Sequence, residues 1–220
     1  MTVAGFRESE EWKGWSYRTY VGEFLSLKCA GDVLNVAAPL GKKADKEISE
    51  SMAIIQILRD VILKKPMQYT VYDLCAGNAL TSLIAVHLLP LKSAVAIDKK
   101  VRNRDWEQVK RFHYFEKNID IDEVLPEDSV IIAVHPCRDL ALKIVDLFNK
   151  SDASYLIMMP CCIKHESIGN LGLQEFLSNK LSRYEKWCYR LLLNINTNNK
   201  KIKFDKKVLS PCNGIIVARK

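Results

Sequence analysis

Two short apolar runs, each ending in an acid, constrain this chain more than any other feature. The first is Val71-Tyr72-Asp73-Leu74-Cys75-Ala76-Gly77-Asn78-Ala79-Leu80; the second, Ala94-Val95-Ala96-Ile97-Asp98, places its acid 25 residues after Asp73. A turn of small residues and an apolar segment of helical length lie between them. Strand, small turn, helix and a second strand with a terminal acid form the pattern of a nucleotide-type cofactor site. The small turn lets backbone approach a ligand, and a carboxylate at a strand's end accepts two hydrogen bonds from a cis-diol. Of the turn positions only Gly77 is glycine.

The rest of the chain extends this pattern. From Asp45 to Leu63 the apolar residues Ile48, Met52, Ile55, Leu58, Val61 and Ile62 recur at spacings of three and four, which predicts an amphipathic helix ended by Pro66. Strands are then expected at 69–75, 93–97, 114–117, 129–135 and 154–159, with helices at 78–89, 105–113, 138–149 and 171–184. This alternation predicts an α/β fold, a Rossmann-like doubly wound sheet of mostly parallel strands with helices on both faces and right-handed crossovers. Residues 186–195 and 213–218 read as two further strands with no helix between them, so they are expected to pair as a C-terminal antiparallel hairpin. Residues 1–44 hold Trp12, Trp15, Tyr17, Tyr20 and Phe24 among glycines without a helical period, and read as an irregular N-terminal cap on a domain spanning 45–220. Trp12 and Trp15 either pack that cap or stack on bases.

Composition narrows the class. Of the 220 residues 48% are hydrophobic, enough for a full core and against disorder. No apolar stretch reaches the roughly 18–20 uncharged residues of a membrane span, and the first residues lack a signal-peptide core, so a cytoplasmic location is expected. Seven cysteines, an odd number lying mostly in apolar runs, favour reduced thiols over a disulfide framework. The formal charge of +7 is matched by one segment: Lys180 to Lys207 holds nine basic residues against two acidic ones. A phosphate backbone is the simplest partner for such a surface, and a solvated lysine-rich hairpin is the alternative.

The order of elements over about residues 45–220 resembles the class I S-adenosylmethionine-dependent methyltransferases, whose parallel sheet finishes in an antiparallel hairpin. In that family an acid-x-Gly-x-Gly-x-Gly turn approaches the methionine part of the cofactor, and the acid after the second strand holds the ribose hydroxyls. The resemblance implies S-adenosyl-L-methionine as cofactor, bound by Asp73, Cys75, Ala76, Gly77, Asn78, Asp98, Lys99 and His135; cysteine and alanine stand at 75 and 79 where the family has glycine. A nicotinamide-dependent dehydrogenase shares the first half, but carries a fuller glycine fingerprint and ends its sheet in parallel. Three further pieces, residues 41–47 (GKKADKE), 134–141 (VHPCRDLA) and 160–165 (PCCIKH), look like the methyltransferase subgroup with Lys-Lys, His-x-Cys-x-x-Leu and Cys-Cys motifs. That subgroup includes the eukaryotic tRNA acceptor-stem 2′-O-methyltransferase and the methyltransferase-like domain of a glutathione S-transferase-related protein. This chain departs from it at Arg138, where glycine is usual.

His135 and Cys137 follow the fourth expected strand, and Cys161, Cys162 and His165 follow the fifth. In a doubly wound sheet neighbouring strand ends bring such groups to the cofactor's side. Four roles stay open for them. They shape the pocket, with His135 as general base or orienting donor; Cys137 acts as a nucleophile, as in the Pro-Cys of cytosine-C5 methyltransferases; Cys137, Cys161, Cys162 and His165 bind zinc; or all are core residues. Adjacent cysteines without a CxxC speak against the metal, and none is expected. His135 and Cys137 are therefore the catalytic candidates. The substrate-binding candidates are Arg102, Arg104, Arg138, Cys161, Cys162, His165, Lys200 and Lys201. The expected function is methylation of RNA, tRNA first. The alternatives are a protein or small-molecule methyltransferase and a non-catalytic module of the same fold.

Overall fold

The computed structural model describes residues 19–38, 40, 42–100, 102–120, 122, 124–161 and 181–220. Three helices, α1 (Tyr20–Leu25), α2 (Ala30–Ala37) and α3 (Ala44–Ile62), precede the first strand. There follow β1 (Thr70–Leu74), α4 (Leu80–Leu88), β2 (Ser93–Asp98), β3 (Phe112–Glu116), β4 (Ser129–Val134), α5 (Asp139–Lys150) and β5 (Tyr155–Met159). The chain closes with α6 (Arg183–Leu193), β6 (Asn199–Phe204) and β7 (Gly214–Arg219).

The strands form one sheet in the order β3-β2-β1-β4-β5-β7-β6. β1 to β5 run parallel, and β7 is antiparallel to both neighbours, as the expected fold requires. Successive strand residues point to opposite faces, so each strand feeds two cores. Val71, Ala94, Val130 and Ile157 pack with helices α1 to α4, whereas Leu74, Ile131, Leu156 and Ile216 pack with α5 and α6. Met52, Ile54, Ile55, Leu58 and Ile62 of α3 are fully buried; at about 1.5–3 kcal/mol per side chain this helix is a main support of the first core. Among the described residues no helix is long and apolar enough to cross a membrane.

Three expectations are corrected. Residues 105–113 form no helix: a single 3₁₀ turn at Trp106–Gln108 leads directly into β3. Arg111 reverses the chain there at φ +64, its guanidinium bonded to the carbonyls of Val86 and Leu91, and Trp106 stacks on Tyr114 with centroids 4.5 Å apart. Second, the run 186–195 lies largely in helix α6. A capping box closes its start, the Ser182 hydroxyl accepting from the Glu185 amide while the Glu185 carboxylate accepts from the Ser182 amide. Trp187, Cys188 and Leu191 then share the buried face. The antiparallel hairpin exists, but its first strand is Asn199–Phe204. Third, the N-terminal segment is not wholly irregular. Tyr20 and Phe24 of α1 are buried, and the Tyr20 hydroxyl donates to Asp205 at 2.8 Å, tying the segment to the loop between β6 and β7. Trp12, Trp15, Tyr17 and residues 171–180 of the expected helix lie outside the described residues.

β1 and β4 are neighbours at the point where strand order reverses. The turns after Leu74 and Val134 therefore meet at the carboxyl edge of the sheet, where ligands bind in this architecture.

Candidate active site

The turn after β1 is built as glycine would build it, with one glycine. Cys75, Gly77 and Ala79 all take positive φ, at +66, +55 and +54. For the two non-glycine residues this costs about 1–2 kcal/mol each, so the surroundings must hold the turn. Two amides, Cys75 N–H and Ala76 N–H, donate to the Ile97 carbonyl at 2.9 and 3.1 Å. Gly77 N–H donates to Asp98 Oδ2 at 2.9 Å, and the Tyr114 hydroxyl donates to the Gly77 carbonyl at 3.1 Å. Asp98 Oδ1 accepts from Lys100 N–H at 2.9 Å, and Lys99 stands exposed beside it.

A Cβ on Gly77 would meet nothing within 4 Å, so the turn faces open space. That space is a cleft of about 240 Å³, lined among others by Glu47, Glu50, Asn78, Arg102 and His135. Asn78 is held between Glu47 and Arg104, at 3.5 and 3.4 Å. Cys75 also lines the cleft, and burial pushes its thiol far above the usual range, so it stays protonated. Asp73 does not line it. This carboxylate is 2% exposed and accepts the Ser82 hydroxyl at 2.8 Å, fixing the first turn of α4. Burial raises its pKa from 3.8 to about 7, the Ser82 hydrogen bonds opposing the shift.

His135 is the first residue beyond β4, at φ +60, with its amide bonded to the Met159 carbonyl at 2.8 Å. Its ring nitrogen Nε2 lies 2.5 Å from Oε1 of Glu50 on α3. Lys46, one turn earlier on the same helix, brings Nζ within 3.4 Å of that oxygen. On its other side His135 lines a second cleft of about 710 Å³, shared with Lys43, Lys46, Cys161 and the loop segment Leu209–Cys212. His135 thus stands where the two clefts meet.

Cys137 is exposed, and its sulfur lies 3.0 Å from that of Cys161; the Cys212 thiol donates to the Cys161 carbonyl at 3.4 Å. Arg138 takes φ +53 and ψ −123, a conformation suited to glycine. Cys162 and His165 lie outside the described residues, and among those described no three His, Cys, Asp or Glu side chains are grouped to hold a metal.

Lys200 and Lys201 are not brought to the site. Through β7 they stand level with Leu156 and Ile157, low on the sheet, and Lys200 Nζ bonds the Ile195 carbonyl at 2.6 Å. The loop 205–213 at the other end of the hairpin reaches the second cleft instead. Sequence reasoning also missed Glu47 and Glu50. A signal was present: at 3.6 residues per turn, Glu47 and Ser51 fall inside the arc spanned by Ile54, Leu58 and Ile55, and Glu50 falls at its edge.

The residues present fit a nucleoside cofactor. Open space lies over Gly77, Asp98 is bonded to the Gly77 amide, and the buried Nε of Arg102 has no hydrogen-bond partner among the described residues. Three solved structures are similar to the chain. The Thermoplasma acidophilum protein 1320 shares 13% identity, covering 88% of this chain and 98% of its own, with a TM-score of 0.46. The ribosomal protein L11 methylase from Lactobacillus delbrueckii subsp. bulgaricus shares 16%, covering 82% and 81%, at 0.45. Magnesium protoporphyrin IX methyltransferase (ChlM) from Synechocystis PCC 6803, with bound SAH, shares 10%, covering 86% and 90%, at 0.48. No curated protein matches the chain by sequence. A family described as a methyltransferase domain matches residues 42–167, from the Lys-Lys segment through β1, β4 and the Cys-Cys motif. This match takes in more than half of the chain and both turns that form the clefts, so the chain belongs to that family and is an S-adenosylmethionine-dependent methyltransferase.

Proposed function

We propose that this enzyme methylates RNA, with the acceptor nucleotide in the second cleft and His135 as general base. One observation carries the reading: His135 lines both clefts, so a group seated in the larger one meets the cofactor cleft at an imidazole. S-adenosylmethionine, when bound, supplies a methyl group on a sulfonium, already activated for in-line displacement. The protein's part is then to align the acceptor and remove its proton. Asp98, the turn 75–78 and Arg102 hold the cofactor, while Cys137 and Cys161 form a narrow thiol wall at the strand ends.

Charge supports RNA as the acceptor. Lys43 and Lys46 border the second cleft, and Lys206 and Lys207 stand in the loop whose Leu209–Cys212 segment lines it. Cations there contact phosphate without reading sequence. The resemblance to the subgroup containing the acceptor-stem 2′-O-methyltransferase makes tRNA the first RNA to test.

Calorimetry with S-adenosylhomocysteine tests the cofactor cleft, where Asp98→Ala should weaken binding. Transfer of tritiated methyl to fractionated tRNA, rRNA and protein extract tests the acceptor. Label confined to protein, or RNA binding that does not weaken between about 50 and 200 mM salt, would sink the RNA reading. Covalent catalysis by Cys137 is the competing mechanism, and it predicts that Cys137→Ala loses more activity than His135→Ala.

A further inference from the structure

We propose that Glu50 is a positioning residue for the reaction, holding His135 in the tautomer that accepts the acceptor's proton. The inference rests on the assignment of His135 as base and adds the group that orients it. Glu50 sits in the middle of α3 with its side chain 2% exposed, in a region otherwise given to the core. A carboxylate so placed is costly unless other groups compensate it. Two groups approach it: Lys46 Nζ at 3.4 Å, one turn away, and His135 Nε2 at 2.5 Å, delivered from β4. Glu50 Oε1 and His135 Nε2 are both buried, and neither makes an aligned hydrogen bond among the described residues, their own 2.5 Å approach included. Each is the other's nearest charged or polar neighbour, and a small turn of the imidazole aligns the pair.

The chemistry follows from which nitrogen the carboxylate meets. Glu50 accepts a proton shared with Nε2, so the neutral imidazole carries its hydrogen there and leaves the lone pair on Nδ1. Nδ1 then takes the proton from the acceptor's hydroxyl or amine. The acceptor's electron pair forms the new bond to the methyl carbon, and the electrons of the breaking S–C bond stay on sulfur. The imidazolium that results lies against the carboxylate, as in triads where an acid orients a histidine without itself being protonated. The backbone makes the arrangement specific: His135 holds φ +60, a conformation that non-glycine residues keep only when the surroundings enforce it.

The test uses the full chain labelled with ¹⁵N-histidine. Ring spectra are recorded for the wild type, Glu50→Ala, Glu50→Gln and His135→Ala, the last identifying the His135 signals among the four histidines. Wild type should show His135 protonated at Nε2, and Glu50→Ala a mixture of tautomers. In tritium transfer to total RNA, Glu50→Ala should lower kcat by about 10–100-fold, the range for losing a group that orients a functional histidine. KM for RNA should be unchanged, and any loss of S-adenosylhomocysteine affinity should be smaller than the loss of kcat, because Glu50 also lines the cofactor cleft. Glu50→Gln preserves side-chain volume and an acceptor oxygen, so it should fold and give an intermediate kcat. An unchanged tautomer in Glu50→Ala, or wild-type kcat in both variants, overturns the proposal. Full activity of His135→Ala overturns the base assignment instead, and the ring spectra still report whether Glu50 fixes the imidazole.

Discussion

Replacing Asp73 with asparagine should stabilise the protein, and the gain should grow with pH. The carboxyl has a pKa of about 7 in the fold, against an ordinary 3.8, because burial disfavours its charge. Between those values the folded chain keeps a proton that the unfolded chain has released, so stability falls as pH rises. Above about pH 7 the loss is complete. At about 1.4 kcal/mol per pH unit, the raised pKa costs roughly 4 kcal/mol at pH 8, where the buried group is ionised, and under 2 kcal/mol at pH 5, where the fold keeps it protonated. Asparagine does not titrate, and it resembles the protonated acid in offering one oxygen to the Ser82 hydroxyl and one donor group. Urea unfolding of both proteins at pH 5 and pH 8 should show the variant's advantage increasing by about 2–3 kcal/mol over that interval. Comparing the two proteins at each pH cancels the titration of the other groups. Because Asp73 fixes α4 and does not line the cleft, S-adenosylhomocysteine affinity should survive the change. An equal effect at both pH values, or a variant less stable at pH 8, refutes the argument that this acid is buried against its charge.

Three further outcomes are expected. Arg138 is exposed at φ +53 and ψ −123, so Arg138→Gly should raise stability by about 1 kcal/mol in the same urea assay; a loss would show that the arginine makes a contact worth more than the strain. Removing Lys43 and Lys206 together should flatten the salt dependence of tRNA binding by a slope of about 2, whereas removing Lys200 and Lys201 should leave it nearly unchanged. Equal effects from both pairs would place the RNA elsewhere on the basic surface. Mild thiol oxidation with diamide should join Cys137 to Cys161, whose sulfurs are already 3.0 Å apart; peptide mapping that finds another partner for Cys137 contradicts this geometry.

The two halves of the site were unequally legible, for a physical reason. One wall of the cofactor cleft is the turn after β1, braced by Asp98 at the end of β2; these pieces are contiguous in sequence, so an apolar run, a small-residue turn and a terminal acid announce it, whereas Glu47, Glu50 and His135 close the cleft from distant segments. Even the absent glycines left a trace, since Cys75 and Ala79 keep the positive φ that glycine would take. The hairpin was legible as topology but not in its boundaries. Lys200, Lys201 and Lys203 on β6 are the charges that protect an edge strand from pairing with other chains, and they make it look like a loop. Helix α6 carries Trp187, Tyr189 and a leucine run that suit a strand equally well, and only the capping box at Ser182 and Glu185 settles its form. The second cleft could not be read locally at all. It is assembled from the start of α3, the ends of β4 and β5 and the loop before β7, segments that touch only once the sheet has formed. Glu50 shows the consequence most sharply. In a helical pattern it is an acid at the edge of α3's apolar arc, and it becomes a chemical group only when β4 delivers an imidazole to it. A methyl donor can be held by one contiguous turn, whereas acceptor choice and proton removal depend on contacts between distant segments, which explains why the sequence speaks more plainly about the donor than about the acceptor.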